Sequence, residues 1–274
     1  MSDTARISAL YRYPLKSARG EALATATLSV TGFEGDRQWL LVPPAGRFIP
    51  QREAPRLALL QAEIEAAALR LAAPGLAELR FAHDESALAR RVEIWGDVCA
   101  AFDAGDETAR ALSTWLGREC RLVRFDPAQR RVCNPAWTGS QQAVTAFADA
   151  YPLLLIGTTS LVDLNRRLGR ELPINRFRPN LVVECLEPYA EDRIDELRCG
   201  DVVLRAVKPC DRCVITTTDQ GRGERDGDEP LRTLKTYRYD AKLRGVTFGQ
   251  NLIIVAGQGG TLRVGEALQL RWRT

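Results

Sequence analysis

The sequence predicts a mainly β protein with a few helices, an α+β chain in which one β unit follows another. Three observations carry that reading. Short apolar stretches that alternate or run into turns dominate both halves, whereas only two segments repeat apolar residues at helical spacing. Neither Gly-x-Gly-x-x-Gly nor Gly-x4-Gly-Lys-Ser/Thr occurs, so nucleotide-binding doubly wound folds lack their phosphate loop. Finally, Cys199-Gly200-Asp201-Val202-Val203-Leu204-Arg205 is echoed by Val264-Gly265-Glu266-Ala267-Leu268-Gln269-Leu270. Each is a turn with Gly and an acid leading into an alternating strand, which favours a β-barrel over a parallel sheet.

In chain order, Arg6 to Tyr13 mixes apolar and polar positions ahead of Pro14, as an edge or terminating strand would. Gln38 to Val42 is a short apolar run stopped by Pro43-Pro44. Leu57, Leu59, Leu69 and Leu71 alternate around an Ala/Glu-rich middle, read as two strands over 57–72 although the middle also suits a helix. Val92 and Ile94, then Gly96-Asp97, then Val98, Ala100 and Phe102 make the clearest hairpin. Asp106 can cap a helix that presents Ala109, Leu112 and Leu116 on one face and ends at Gly117. A second helix is expected from Thr158 or Thr159, with Leu161, Leu164 and Leu168 on one side and Gly169 as its stop. Between the helices, 127–140 is rich in Pro, Arg, Gly and Asn and reads as a long loop. The boundary is placed near residue 122, giving units 1–122 and 123–274.

Bulk properties exclude several function classes. A chain of 274 residues with 45% hydrophobic content fills a real core, and a net charge of +3 provides no field of the kind a dedicated nucleic-acid binder needs. Met1 to Arg6 contains no basic segment leading into an apolar run, and the chain has no stretch of about 18 apolar residues. A cytoplasmic protein without membrane association is therefore expected. Seven cysteines, at 99, 120, 133, 185, 199, 210 and 213, are an odd number in such a chain and are read as thiols. His83 is the only histidine, so a His-rich zinc site is impossible, and its polar surroundings suggest a surface position.

Chemistry concentrates in Lys208-Pro209-Cys210-Asp211-Arg212-Cys213, followed by Val214, Ile215, Thr216, Thr217 and Thr218. Its Cys-x-x-Cys pair admits a redox dithiol, half of a zinc site completed by Cys185 and Cys199, or one thiolate that binds a cofactor-borne metal with Arg212 lowering its pKa. Buried inert thiols are the bland alternative. Five β-branched residues after Cys213 predict a strand, which argues against the helix a thioredoxin-like pair requires. Two further segments carry anion-binding groups. Tyr13-Pro14-Leu15-Lys16-Ser17-Ala18-Arg19-Gly20 sets a Lys, a hydroxyl and an Arg on a Pro/Gly-bounded turn, and Asn175-Arg176-Phe177-Arg178-Pro179-Asn180 places two arginines and two amides before an apolar strand.

Together these segments resemble the MOSC superfamily, in the branch with an N-terminal β-barrel domain that includes the bacterial YcbX-type proteins and the mitochondrial amidoxime reducing component. The resemblance rests on Tyr-Pro-Leu-Lys-Ser at 13–17, Gly-Asp-Arg-Gln-Trp at 35–39, Ser-Leu-Val-Asp-Leu-Asn at 160–165, Arg-Phe-Arg-Pro-Asn at 176–180, Cys-x-x-Cys at 210–213, Leu-Lys-Thr-Tyr-Arg at 234–238 and Phe-Gly-Gln-Asn at 248–251. Their order and spacing make it specific. It implies an N-terminal β-barrel-like domain followed by a MOSC β-barrel, and a molybdenum cofactor, molybdopterin, whose metal takes Cys213 as its protein ligand, with no ligand role for Cys210. It further implies that Lys16 and Ser17, with Arg37 and Arg178, hold the cofactor's phosphate. Asp149, Asn180, Asp211 and Arg212 match positions that line the pterin, partly through backbone groups. Asp211 stands where relatives often have Ser, and Ala150 and Tyr151 where some have hydroxyl residues.

The implied activity is reduction of N-hydroxylated compounds, hydroxylamines or amidoximes, at a metal cycling between Mo(VI) and Mo(IV). The chain ends at Thr274 without a Cys-x4-Cys-x2-Cys run, so electrons are expected from a separate flavin, iron–sulfur or haem protein. The alternatives are a non-catalytic carrier of the cofactor and a sulfur-carrying MOSC protein, the latter weakened by the absence of a desulfurase domain. A pyridoxal phosphate association comes with the superfamily resemblance and with no residue here. Arg52, Trp95, Trp137, Asp219 and Tyr237 are candidates to shape a substrate pocket, with packing an equally open role for each.

Overall fold

Seven strands close into a barrel in the computed structural model, which describes residues 3–44, 47–65, 68–82, 87–184 and 187–273. Around it run Leu153–Gly157, Leu181–Glu184, Thr4–Arg12, Ala267–Trp272, Ile194–Cys199, Val202–Asp211 and Gly245–Ala256, the last pairing back onto the first. Neighbours are antiparallel except Leu153–Gly157 and Leu181–Glu184, whose parallel pairing needs a crossover, supplied by the helix Thr158–Leu168. Alternation sends Ala5, Ile7, Leu155, Leu197, Leu204, Leu252 and Leu268 into one apolar interior.

Thr4–Arg12 is no edge strand. It lies between Leu181–Glu184 and Ala267–Trp272, because Ala5, Ile7 and Leu10 all have core to meet and Pro14 falls past its last ladder bond. The echoed segments are equivalent: Gly200 and Gly265 turn at φ 54° and 88°, and each opens a barrel strand.

The second unit is two small sheets sharing a core with a helix. One orders Trp39–Val42, Arg121–Phe125, Asp97–Asp103 and Ala89–Ile94; the other is the meander Gln61–Glu65, Ala68–Ala73, Leu76–Ala82. Trp39, Leu41, Leu69, Leu71, Leu112 and Leu122 meet between them. Leu57 and Leu59 belong to a 3-10 turn, Pro55–Leu59, rather than to the first strand of the 57–72 segment. The hairpin turns on Trp95-Gly96, one residue earlier than expected, since Asp97 pairs with Ile94.

Asp106–Leu116 is the first expected helix, with Gly105 at its cap and Asp106 as a first-turn acid facing the helix's positive end. Trp115 joins Ala109 and Leu112 on its buried face, and Gly117 closes it at φ 70°. The second helix is Thr158–Leu168, stopped by Gly169 at φ 66°. The stretch 127–140 is more ordered than a loop: Arg131–Val132 pairs with Val144–Thr145, and Asn134 caps the single turn Pro135–Thr138.

Residue 122 falls inside the strand Arg121–Phe125, and Ala26, Leu28 and Phe33 from the first unit's sequence pack in the barrel core. The chain thus begins in the barrel, leaves it to build the second unit, and returns. Among the described residues no helix is long and apolar enough to cross a membrane. His83 and Cys185 lie outside the described residues.

Candidate functional site

The chain crosses between barrel and second unit at Tyr13. There Leu15 bridges Trp39, the Lys16 N–H donates to the Trp39 carbonyl at 2.8 Å, and the Arg37 N–H donates to the Tyr13 carbonyl at 2.8 Å. This crossing sets Lys16 and Ser17 beside Arg37 on one wall of a cleft of about 870 Å³, open mouth included. The opposite wall is the barrel end carrying Cys210, Asp211, Arg212 and Cys213. Asp149, Arg178 and Asn180 line it too, so the nine residues that the resemblance assigns to the cofactor border one cavity, as do Cys210, Ala150 and Tyr151.

Cations outnumber anions in that lining. Lys16, Arg37, Arg52, Arg178 and Arg212 face two carboxylates, Asp149 and Asp211. Lys16 is buried and donates to Asp149 Oδ1 at 2.6 Å and to the Phe147 carbonyl at 2.8 Å, which leaves one of its three protons free. Burial pushes the Lys16 ammonium down, and Asp149 pulls it back. For Asp149, loss of water raises the carboxyl, but the Lys16 charge and hydrogen bonds from Lys16 and Trp95 outweigh it and hold it far below the usual carboxylate range.

Arg37 and Arg178 flank one ring, each guanidinium 4.3 Å from the centre of buried Tyr13. Arg37 donates to Asp36 Oδ2 at 2.5 Å and Asn180 Oδ1 at 2.8 Å, and Arg178 to the Ala18 carbonyl at 2.6 Å. Burial pushes Arg178 down to about 10, still charged at neutral pH. Asn180 therefore acts largely as a strut. Its Oδ1 accepts from Arg37 and from the Leu154 N–H, while its Nδ2 donates to the Tyr11 carbonyl.

Backbone strain collects here. Of the six described non-glycine residues with positive φ, Ser17 (70°), Arg37 (46°) and Arg178 (57°) line the cleft, and Trp95 (53°) donates from Nε1 to Asp149 at 2.9 Å. Such conformations cost about 1–3 kcal/mol each and persist where surrounding structure enforces them.

The two cysteines differ. Val202–Asp211 carries Cys210 to the end of the barrel, where its half-buried sulfur accepts from Arg212 Nη1 at 2.9 Å. Burial pushes the Cys210 thiol up against the opposing pull of Arg212. The expected help from Arg212 to a metal-binding thiolate thus goes to Cys210; its Nη2 is spent on the Phe177 carbonyl at 2.6 Å. Cys213 is exposed, and among the described residues its sulfur has no hydrogen-bond partner.

Directly after Cys213 the chain coils into a 3-10 turn, Val214–Thr217, in place of the expected strand. The Thr216 and Thr217 hydroxyls donate to the carbonyls of Cys213 and Val214 at 3.0 and 2.9 Å, and such local bonds compete with a ladder. The zinc alternative fails on distance for Cys199, which pairs with Val202 at the far end of the strand from Cys210, roughly 25 Å away at about 3.3 Å per residue. Among the described residues no three His, Cys, Asp or Glu side chains converge on a point, so a metal at Cys213 would bring its other ligands with it.

Some residues that line or support the cleft have no sequence signal of their own. Arg131, in the stretch read as loop, is buried and donates to the carbonyls of Ala146, Ala148 and Asp149, pinning the segment that presents Asp149. Phe48 and Arg52 line the cleft, and Trp95 stands beside them. Trp137 lies near Lys208, which pairs with Asp211 at 2.5 Å. Asp219 and Tyr237 are engaged elsewhere, with Arg176 and with Tyr189.

A β-barrel joined to a smaller β unit, with a basic cleft at the junction that ends on an exposed thiol, is the arrangement of a two-domain protein of the MOSC type. The chain belongs to that family: the MOSC N-terminal beta barrel domain matches residues 4–119 and the MOSC domain matches residues 142–269. Mitochondrial amidoxime reducing component 2 of Rattus norvegicus is 33% identical over 97% of this chain and 83% of its own length. Mitochondrial amidoxime-reducing component 1 of Homo sapiens is 32% identical over 98% and 84%. Among solved structures, the YUAD protein of Bacillus subtilis overlaps 99% of this chain and 97% of its own at TM-score 0.45 and 10% identity, too distant to add to the assignment.

Proposed function

We propose that this protein binds the molybdenum cofactor in the junction cleft and reduces N-hydroxylated compounds to amines and amidines. The observation that carries the reading is the meeting of Lys16, Arg37, Arg178 and Arg212 with the exposed Cys213 thiol in one cleft. A phosphate-bearing cofactor with a soft metal fits that donor set, because phosphate needs the cations and the metal needs the thiolate. When bound, the molybdenum would supply oxygen-atom acceptance and two-electron redox.

The residues do the rest. Lys16, with its spare proton, and the Ser17 hydroxyl grip the phosphate. Arg37 and Arg178, locked by the Tyr13 ring and by Asn180, add fixed charge. Cys213 presents its thiolate from a short turn. Asp149, Asn180, Asp211 and Arg212 border the pterin, with Arg212 keeping Cys210 turned to itself. Each turnover consumes two electrons and two protons and converts R–NH–OH into R–NH2 and water. Solvent at the open mouth supplies the protons, and a separate flavin, iron–sulfur or haem protein supplies the electrons. A cytoplasmic location is part of the same proposal.

The test is elemental analysis and benzamidoxime reduction with a reduced viologen dye, on protein from a cofactor-competent host. Wild type and Cys210→Ser are expected to contain near-stoichiometric molybdenum and to turn over. Cys213→Ser is expected to lose turnover and the thiolate-to-metal absorption. Molybdenum without turnover would identify a carrier, and loading of Cys213→Ser with unchanged absorption would remove Cys213 as the ligand.

A further inference from the structure

Arg52 differs from the other cations of the cleft. Its backbone is held firmly: Gln51 before it donates to the Ser17 carbonyl at 3.0 Å and exchanges hydrogen bonds with Gln220, and the Arg52 carbonyl accepts from Arg225 at 2.6 Å. Its guanidinium lines the cleft, yet among the described residues no oxygen accepts from it, and its Nε is buried without a partner. Lys16, Arg37, Arg178 and Arg212 each have an acceptor on the protein.

What holds the Arg52 side chain is a ring. Its guanidinium lies 4.4 Å from the centre of Trp95, whose own position is set by the Nε1 bond to Asp149 and an edge contact with Phe48 at 5.2 Å. Trp95 occupies a turn position at φ 53° where Asn or Gly is preferred, and remains 51% exposed. A large ring kept in a strained turn and half in water places this pair on the mouth side of the cleft. Arg37 and Arg178 flank buried Tyr13 and stand on the inner side.

A planar guanidinium with its donors unspent, backed by an indole, is a binding site for a carboxylate or phosphate on a flat molecule. We propose that Arg52, carried on Trp95, binds an anionic group of the substrate and makes the protein prefer planar N-hydroxylated compounds bearing a carboxylate or phosphate. This rests on the reductase reading above. The other source of the same chemistry is an anionic extension of the cofactor itself, and the experiment separates the two.

Holoenzyme is assayed with 4-carboxybenzamidoxime and with benzamidoxime in wild type, Arg52→Gln and Arg52→Lys, with molybdenum measured in each. Arg52→Gln is expected to lower the ratio of kcat/KM, charged over neutral substrate, by about ten- to hundredfold, the span of one charge-assisted hydrogen bond. Molybdenum content stays at the wild-type level, and Arg52→Lys, lacking the bidentate fork, restores only part of the ratio. In a second arm, benzoate is titrated against tryptophan fluorescence; wild type is quenched and Arg52→Gln is not, while neutral benzamide quenches both alike. An unchanged ratio overturns the proposal. So does an equal loss on both substrates with molybdenum lost, which would give Arg52 to the cofactor. If wild type reduces no N-hydroxylated compound, the reductase reading falls, and the benzoate arm still decides whether Arg52 is an anion site.

Discussion

The barrel's outer turns and the cleft solve the same geometric problem with different residues. In barrel turns that do not line the cleft, positive φ falls on glycine, at 200, 257, 259 and 265. Around the cleft, Ser17, Arg37 and Arg178 adopt the same region with side chains attached. Glycine takes that conformation without steric cost, whereas a side chain raises the energy by about 1–3 kcal/mol. The glycine turns are thus built for closure, and the cleft spends stability to aim a hydroxyl and two guanidiniums into one space.

The largest effect that tests this contrast is expected from Gly257→Ala. Its Cβ would fall 2.5 Å from Val202 Cα at φ 83°, so a loss on the order of 4 kcal/mol is expected, read by denaturant unfolding. A loss under about 1 kcal/mol would show this turn to be more pliable than closure requires.

Asp149→Asn comes next. It removes the charge that pairs with buried Lys16, but Asp149 is 69% exposed, so about 1–2 kcal/mol is expected rather than the larger cost of breaking a fully buried pair. The same pair sets a pH dependence. The folded Asp149 pKa is depressed, so its contribution is complete above the unfolded value of about 3.9 and is lost as pH falls below it. Below about pH 4, the stability gap between wild type and Asp149→Asn should narrow; a gap that holds constant would detach Lys16 from Asp149.

The smallest effect is the most diagnostic. Ser17→Gly relieves a φ of 70°, so stability should stay level or rise by up to about 1 kcal/mol while molybdenum content falls. Lower stability with full molybdenum would mean that the strained turn serves packing and not the site.

Much of the molecule is legible in its sequence because it depends on neighbours along the chain. Helix 106–116 is marked by apolar spacing and Gly117, and the 89–103 hairpin by alternation about a turn. The Cys-x-x-Cys segment stands out by residue type, and the MOSC motifs by their order. Local signals fail where a side chain or distant strand changes the balance. Val214 to Thr218 has strand composition, but two threonine hydroxyls return to nearby carbonyls, and Val214–Thr217 coils into a 3-10 turn. Arg6 to Tyr13 reads as an edge because its neighbours, Leu181–Glu184 and Ala267–Trp272, lie far away in the chain.

By itself, then, the sequence determined the β-rich class, both helices with their stops, the family, and the kinds of residue its site would hold. Only the tertiary structure decided that Arg212 serves Cys210 rather than Cys213, that Arg131 pins the segment bearing Asp149, and that Arg52 stacks on Trp95 with no acceptor among the described residues. Patterning is set within a few residues by backbone geometry and solvent. The partner of a charged side chain is set by whichever surfaces the barrel brings together, and closing the barrel joins residues more than a hundred positions apart.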